Sequence, residues 1–179
     1  MLLHTSNKDY EVEFTFEAAE SEIVQTVFDY FSGSYMLKGI NTAKPESEMT
    51  DDELIKTRSA QMDAVIGGVS AVPKLSIDLL YMGLLEAHGN HSDGDKSILC
   101  RDDAKRVYKQ FCKENPDDEK AKQSGLFDAL KKQMEEDGFF DRIGLTQFME
   151  MMRTEEPQEK VAKIPQDHKK KSTKPSSNG

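Results

Sequence analysis

His88, His91, Cys100 and Cys112 are the side chains of this sequence best suited to hold a transition metal, because imidazole and thiolate are ligands that zinc favours. Their spacing matches no compact zinc module, and Cys112 falls on the apolar side of a predicted helix. Buried structural thiols, and a histidine near a helix C-terminus where a cation is favoured, account for them without a metal. Asp93-Gly94-Asp95 raises calcium instead. An EF-hand loop needs oxygen ligands at set positions and glycine at the sixth. With Gly94 sixth, the first ligand becomes Gly89 and the twelfth Cys100; with Ile98 in the apolar eighth position, the first becomes His91 and the sixth Lys96. Neither register works, so the segment reads as a solvated turn.

No nucleophile elbow, phosphate loop, dinucleotide fingerprint or zinc-protease motif occurs. Carboxylates are abundant, but at this charge density neighbouring pairs arise by chance and read as a solvated face. The sequence therefore predicts no catalytic residue, no cofactor, no metal and no enzymatic activity. What remains is apolar: Phe139, Phe140, Phe148, Met149, Met151 and Met152 cluster near the C-terminal end. They read first as core packing. The functional alternative is a partner-binding groove, since flexible, polarizable methionines adapt to varied apolar helices.

These side chains need elements to hold them. Tyr10, Val12, Phe14 and Phe16 alternate with polar residues, the period of a strand with one buried face. Ser6 to Asp9 predicts a turn, with Leu2 to Thr5 as the partner strand. Ile23, Val24, Val27, Phe28 and Phe31 predict one amphipathic helix from Ala18 to Phe31 lying on this hairpin. Gly33 to Met49 reads as a loop. Thr50-Asp-Asp-Glu53 is a capping box opening a helix with Leu54, Ile55, Met62, Val65, Ile66 and Val69 on one side. Gly67-Gly68 weakens its end and Pro73 stops it, so a separate helix is predicted from Pro73 to His88. Its apolar residues from Leu75 to Leu85 fall on nearly every face, which predicts a helix buried all round and too short to cross a membrane.

After a polar turn, Ala104, Val107, Tyr108, Phe111 and Cys112 predict an amphipathic helix ending before Asn115-Pro116. Ser124 is the predicted cap of another, carrying Leu126, Phe127, Leu130 and Met134 and ended by Gly138. Phe139 to Met152 is a last helical segment interrupted at Gly144. Residues 154–179 are Lys-, Pro- and Ser-rich without periodicity and read as a disordered tail. The predicted fold is thus α+β and mainly α: an N-terminal β-hairpin on a bundle of five to six helices within residues 1–153.

The chain has 179 residues and a net charge of −9, with 36% hydrophobic and 32% charged residues. From Glu159 onward six lysines face only Glu159 and Asp167, about +4, which leaves the body near −13. Nucleic acid is excluded as the main partner, because phosphate binding is driven by Lys and Arg. Two cysteines make no disulfide framework, and the N-terminal residues show no signal-peptide h-region; both predict a cytoplasmic chain.

Two blocks carry a family resemblance. Lys8-Asp-Tyr10-Glu-Val12-Glu-Phe14-Thr-Phe16 leads into a helix, and the second block runs from Pro73 through Leu80-Tyr81-Met82-Gly83-Leu84-Leu85 to His88. With Glu136-Asp-Gly138-Phe139-Phe140, the pattern over residues 8–150 resembles the tail assembly chaperones of long-tailed bacteriophages and prophages of Gram-positive bacteria. Met82 departs from the smaller residue common there, and Gly33 to Met49 does not align. The resemblance implies a non-enzymatic protein of the host cytoplasm that binds the tape measure protein, keeps it soluble while the tail tube assembles and is absent from the virion. It implies the tail tube protein as a further candidate partner and leaves self-association open. It also implies a longer form made by programmed frameshifting, for which the codons of Lys169-Lys170-Lys171 are a candidate site. The competing expectation is a small acidic helical adaptor unrelated to tail assembly.

Overall fold

The computed structural model describes residues 1–33, 45–91 and 93–154. Strands β1 (Leu2–His4) and β2 (Asp9–Glu11) pair antiparallel with Leu3 opposite Tyr10. The Thr5 N–H donates to the Lys8 carbonyl at 3.2 Å and closes the predicted turn. The alternation holds through Val12 and Phe14, both fully buried, and then fails. Phe16 is 69% exposed and opens helix α1 (Phe16–Ala19), with the Arg142 guanidinium 4.6 Å above its ring. The reason is where the backbone goes. Beyond β2 the chain leaves its strand partner and crosses a helix: the Glu13 N–H donates to the Gly83 carbonyl and the Phe14 N–H to Asp137, both at 2.8 Å.

The single helix expected from Ala18 to Phe31 is two. Helix α1 ends at Ala19 and α2 runs Val24–Phe31. Ser21 lies between them, its N–H on the Ala18 carbonyl and its hydroxyl accepting from the Ile23 N–H at 3.3 Å. A serine that bonds its own backbone in this way competes with helix continuation.

The largest departure is helix α3. Its predicted start holds: Thr50 and Glu53 form the reciprocal capping box. The helix then runs unbroken from Asp51 to His88, 38 residues, straight through Gly67, Gly68 and Pro73. Proline lacks the N–H for the Val69 carbonyl and costs ~3 kcal/mol in a helix interior. Side chains bond the carbonyls of the turn that follows, tying it to other elements without replacing the lost bond. Ser76 Oγ reaches the Val72 oxygen at 2.8 Å, Gln123 Nε2 that of Pro73 at 3.2 Å and Arg101 Nη2 that of Lys74 at 3.2 Å. Pro73 itself is exposed, and the helix beyond it is anchored because every residue from Leu75 to Leu80 is buried. The exclusion of a membrane span by length therefore falls. The helix is long and apolar enough to cross one, but 44% of its most apolar window is buried inside the protein.

Helices α4 (Arg101–Glu114) and α5 (Gln123–Glu136) enclose the second half of α3. In α4 the expected Ala104, Val107, Tyr108 and Phe111 face the core, with Cys112 half-buried; Cys100, expected as a buried thiol, is exposed. Ser124 does not cap α5. The chain leaves a 3-10 turn at Glu119–Ala121 and the helix starts directly after Lys122, which puts Ser124 inside its first turn. Gly138, at φ +64°, ends that stretch in the left-handed conformation glycine tolerates. Helices α6 (Phe139–Arg142) and α7 (Leu145–Thr154) follow on either side of Gly144, the predicted break. The class is as expected, mainly α with an N-terminal hairpin. Among the described residues there are seven α-helices, two of them a single turn. Most of the expected loop from Gly33 to Met49, and nearly all of the expected tail, lie outside the described residues.

The core is one cluster of Leu3, Val12 and Phe14 from the N-terminal segment, Leu79, Leu80, Met82 and Leu84 of α3, and the inner faces of α4, α5 and α6. Gly83 is required where the extended segment crosses α3. A Cβ there would lie 2.5 Å from Val12 Cγ1 and 3.1 Å from Phe14 Cζ.

Candidate functional site

The residues that invited metal chemistry are bound up in structure. His88 is buried at the end of α3. The Glu11 N–H donates to its Nε2 at 2.9 Å, which leaves Nδ1 to donate to Asp95 Oδ2 at 2.8 Å. Both ring nitrogens are thus engaged, and Tyr10 packs edge-on at 5.2 Å. Lys8 completes the cluster by pairing with Asp95 while lying 4.9 Å over the Tyr10 ring. Partial burial pushes the Asp95 carboxyl up, but bonds from Lys8, Ser97 and His88 outweigh it and hold the group well below the ordinary carboxylate range. His91 Nε2 donates to the Leu85 carbonyl at 2.8 Å, which raises its pKa and caps the C-terminus of α3. Among the described residues no three His, Cys, Asp or Glu gather as a metal site would require. The assembly staples the hairpin and the 93–98 loop to the end of α3.

The apolar cluster proposed for partner binding divides in two. Phe139 is fully buried against Phe14, their rings 5.5 Å apart. Phe140 is half-buried against Phe31 at 5.1 Å, and Phe148 lies edge-on to Phe28 at 5.3 Å. These three hold α6 and α7 to the rest of the domain. Met149, Met151 and Met152 are exposed on α7. The structure therefore leaves three methionines, rather than six residues, on an accessible face.

Two larger apolar features were missed at the sequence level, and both belong to the first half of α3. One is a cleft of about 390 Å³ between α2 and α3. Ala64, Gly67, Gly68 and Ala71 form its floor and Thr26 and Tyr30 of α2 line one wall. Asp78 closes its end, paired with Arg101 at the start of α4. The floor is open because its residues are small: a Cβ on Gly67 would meet nothing within 4 Å. The signal was present as small residues at i, i+3, i+4 and i+7, but reads equally as a weak helix end.

The other feature is the opposite side of the same helix. Ile55, Met62, Ile66 and Val69 are 66, 61, 59 and 69% exposed. Their stripe was predicted as a face of the helix, and a helix face of this kind is ordinarily covered. Here no described element lies on it.

No protein-family model, no curated protein and no solved structure matches this chain.

Proposed function

We propose that this protein is a tail assembly chaperone of a long-tailed phage or prophage, which binds the tape measure protein in the host cytoplasm and keeps it soluble without catalysis. The observation that carries the reading is the open apolar cleft between α2 and α3. A long helical client presents a succession of large apolar side chains. A groove floored by Ala64, Gly67, Gly68 and Ala71 accepts such side chains without demanding one sequence, because its selectivity lies in volume rather than in fixed hydrogen bonds. Exposed Met149, Met151 and Met152 add an adaptable apolar surface on α7, whose Phe148 touches α2. The resemblance of the Lys8–Phe16 and Pro73–His88 blocks supports the same reading, and the acidic body disfavours nucleic acid as a competing client.

The test is co-expression with the tape measure protein of the same phage or prophage. The chain should raise the soluble fraction of that protein, and Gly67→Phe, which fills the cleft from a position with open space, should abolish the gain while the chain itself stays folded. A tape measure equally insoluble with and without the chain would end the chaperone reading. An unimpaired Gly67→Phe variant would move the client off the cleft.

A further inference from the structure

The exposed face of α3 has an internal order that a general sticky patch lacks. Ile55, Ser59, Met62, Ile66, Val69 and Pro73 follow one another at spacings of four, three, four, three and four. That is the seam of a two-helix coiled coil, with Ser59 and Ile66 at a positions and Ile55, Met62 and Val69 at d. The cleft lies on the other side of the helix, where Ala64 and Ala71 hold f positions. The seam is therefore available whether or not the cleft is filled, and the inference stands apart from the chaperone reading.

We infer that this seam pairs with the same seam of a second copy of the chain, as an antiparallel helix pair. The orientation follows from the two halves of α3. Beyond Pro73 the helix is enclosed by its own domain, with Leu75 through Leu80 all buried. A parallel pair would bring two such enclosed segments to the same end, at the 8–10 Å separation of packed helices, where no space exists for both. An antiparallel pair sends the two bodies to opposite ends and leaves the arms free to meet.

The register follows from charge. Centred between Ala60 and Gln61, the pair sets Ile55 against the second copy's Ile66 and Ser59 against its Met62. Lys56 then faces Asp63 of the second copy, and the two-fold repeats the contact, two opposite-charge pairs along one edge of the apolar layers. Sliding the copies to place Met62 against Ile66 would instead put Asp63 beside Asp63, a like-charge contact. Lys56 and Asp63 are both exposed. Four layers form a small interface, below the ~1,200–2,000 Å² of stable complexes, so the dimer belongs to the weak, concentration-dependent class.

Sedimentation of the full chain should show a monomer–dimer equilibrium in the micromolar range. Ile66→Asp should weaken it by at least about thirtyfold, with unchanged helical content because Ile66 is already in water. Lys56→Glu should weaken it and Asp63→Lys in the same chain should restore it. Geometry is read by cross-linking in a Cys100→Ser background. An equimolar mixture of Ile55→Cys and Ile66→Cys chains should form a disulfide-linked dimer on mild oxidation. Neither variant alone should do so, since each would then lie ~16 Å from its own copy along the axis. A chain that stays monomeric to ~500 µM, far above the micromolar range, overturns the inference. So does a dimer indifferent to Ile66→Asp, or self-linking of Ile66→Cys alone.

Discussion

The two halves of α3 are one continuous helix with opposite fates. From Leu75 to Leu84 nearly every side chain is buried, polar Ser76 and Asp78 included. From Asp51 to Lys74 Ile55, Met62, Val65, Ile66 and Val69 are exposed, while buried Thr57 and Gly68 lie on the other face. The ends differ likewise. The first residue is held by a local capping box, Thr50 with Glu53 three residues away. The last is held from a distance, by Glu11 and Asp95 on His88 and by Lys8 on Asp95. Apolar content alone does not decide burial; what other elements bring to a face does.

Substitution of matched apolar residues tests this contrast most severely. Leu80→Ala should cost ~2–5 kcal/mol of unfolding free energy, since it opens a cavity in a fully buried site. Val69→Ala in the arm should change it by less than ~0.5 kcal/mol in dilute solution, since that side chain is already in water. Urea denaturation measures both, and similar losses would mean that the arm is covered in solution.

A smaller effect, with a change of sign, is expected from two glycines of the same helix. Gly83→Ala should destabilise by ~1–3 kcal/mol, because its methyl would be forced onto Val12 and Phe14. Gly67→Ala meets open space and should stabilise by ~0.5–1 kcal/mol through helix propensity. Thermal melts that shift in the same direction for both would remove the distinction drawn between the halves.

The smallest effect concerns the staple at the buried end. The Asp95 carboxyl is held below its ordinary value of 3.8 in the folded protein. A depressed folded pKa contributes stability that is complete above pH ~4 and is lost as pH falls through the folded value. Asp95→Asn should therefore cost up to ~1 kcal/mol at pH 7, limited by solvent screening of a partly exposed pair. The gap to the parent should begin to narrow below pH ~4 and go on narrowing as the pH falls toward the depressed folded value. A gap independent of pH would assign the loss to hydrogen-bond geometry rather than to charge.

Much of this was legible because it is local. The Thr50–Glu53 capping box, the turn before β2, the apolar stripe of α4 and the stop at Gly138 each depend on residues within a turn or two of one another. Sequence order reports such interactions directly. The all-round burial after Leu75 was legible too, because apolar residues on every face admit no other soluble solution. The sequence alone also determined the apolar seam from Ile55 to Val69, as a face. Whether that face would be covered lay beyond it, since covering depends on elements distant in the chain.

The tertiary structure decided the rest for that reason. Pro73 stays inside α3 because the buried segment beyond it anchors the helix, with Gln123 and Arg101, 50 and 27 residues away, tied to the carbonyls of Pro73 and Lys74. Phe16 leaves the strand pattern because Gly83 and Asp137 draw the preceding backbone across α3. Phe139, Phe140 and Phe148 are spent on Phe14, Phe31 and Phe28, partners from the other end of the chain, while Met149, Met151 and Met152 beside them are left to solvent. The cleft exists only because α2 stands off from the small residues of α3. A distance between two helices is not encoded in the period of either one.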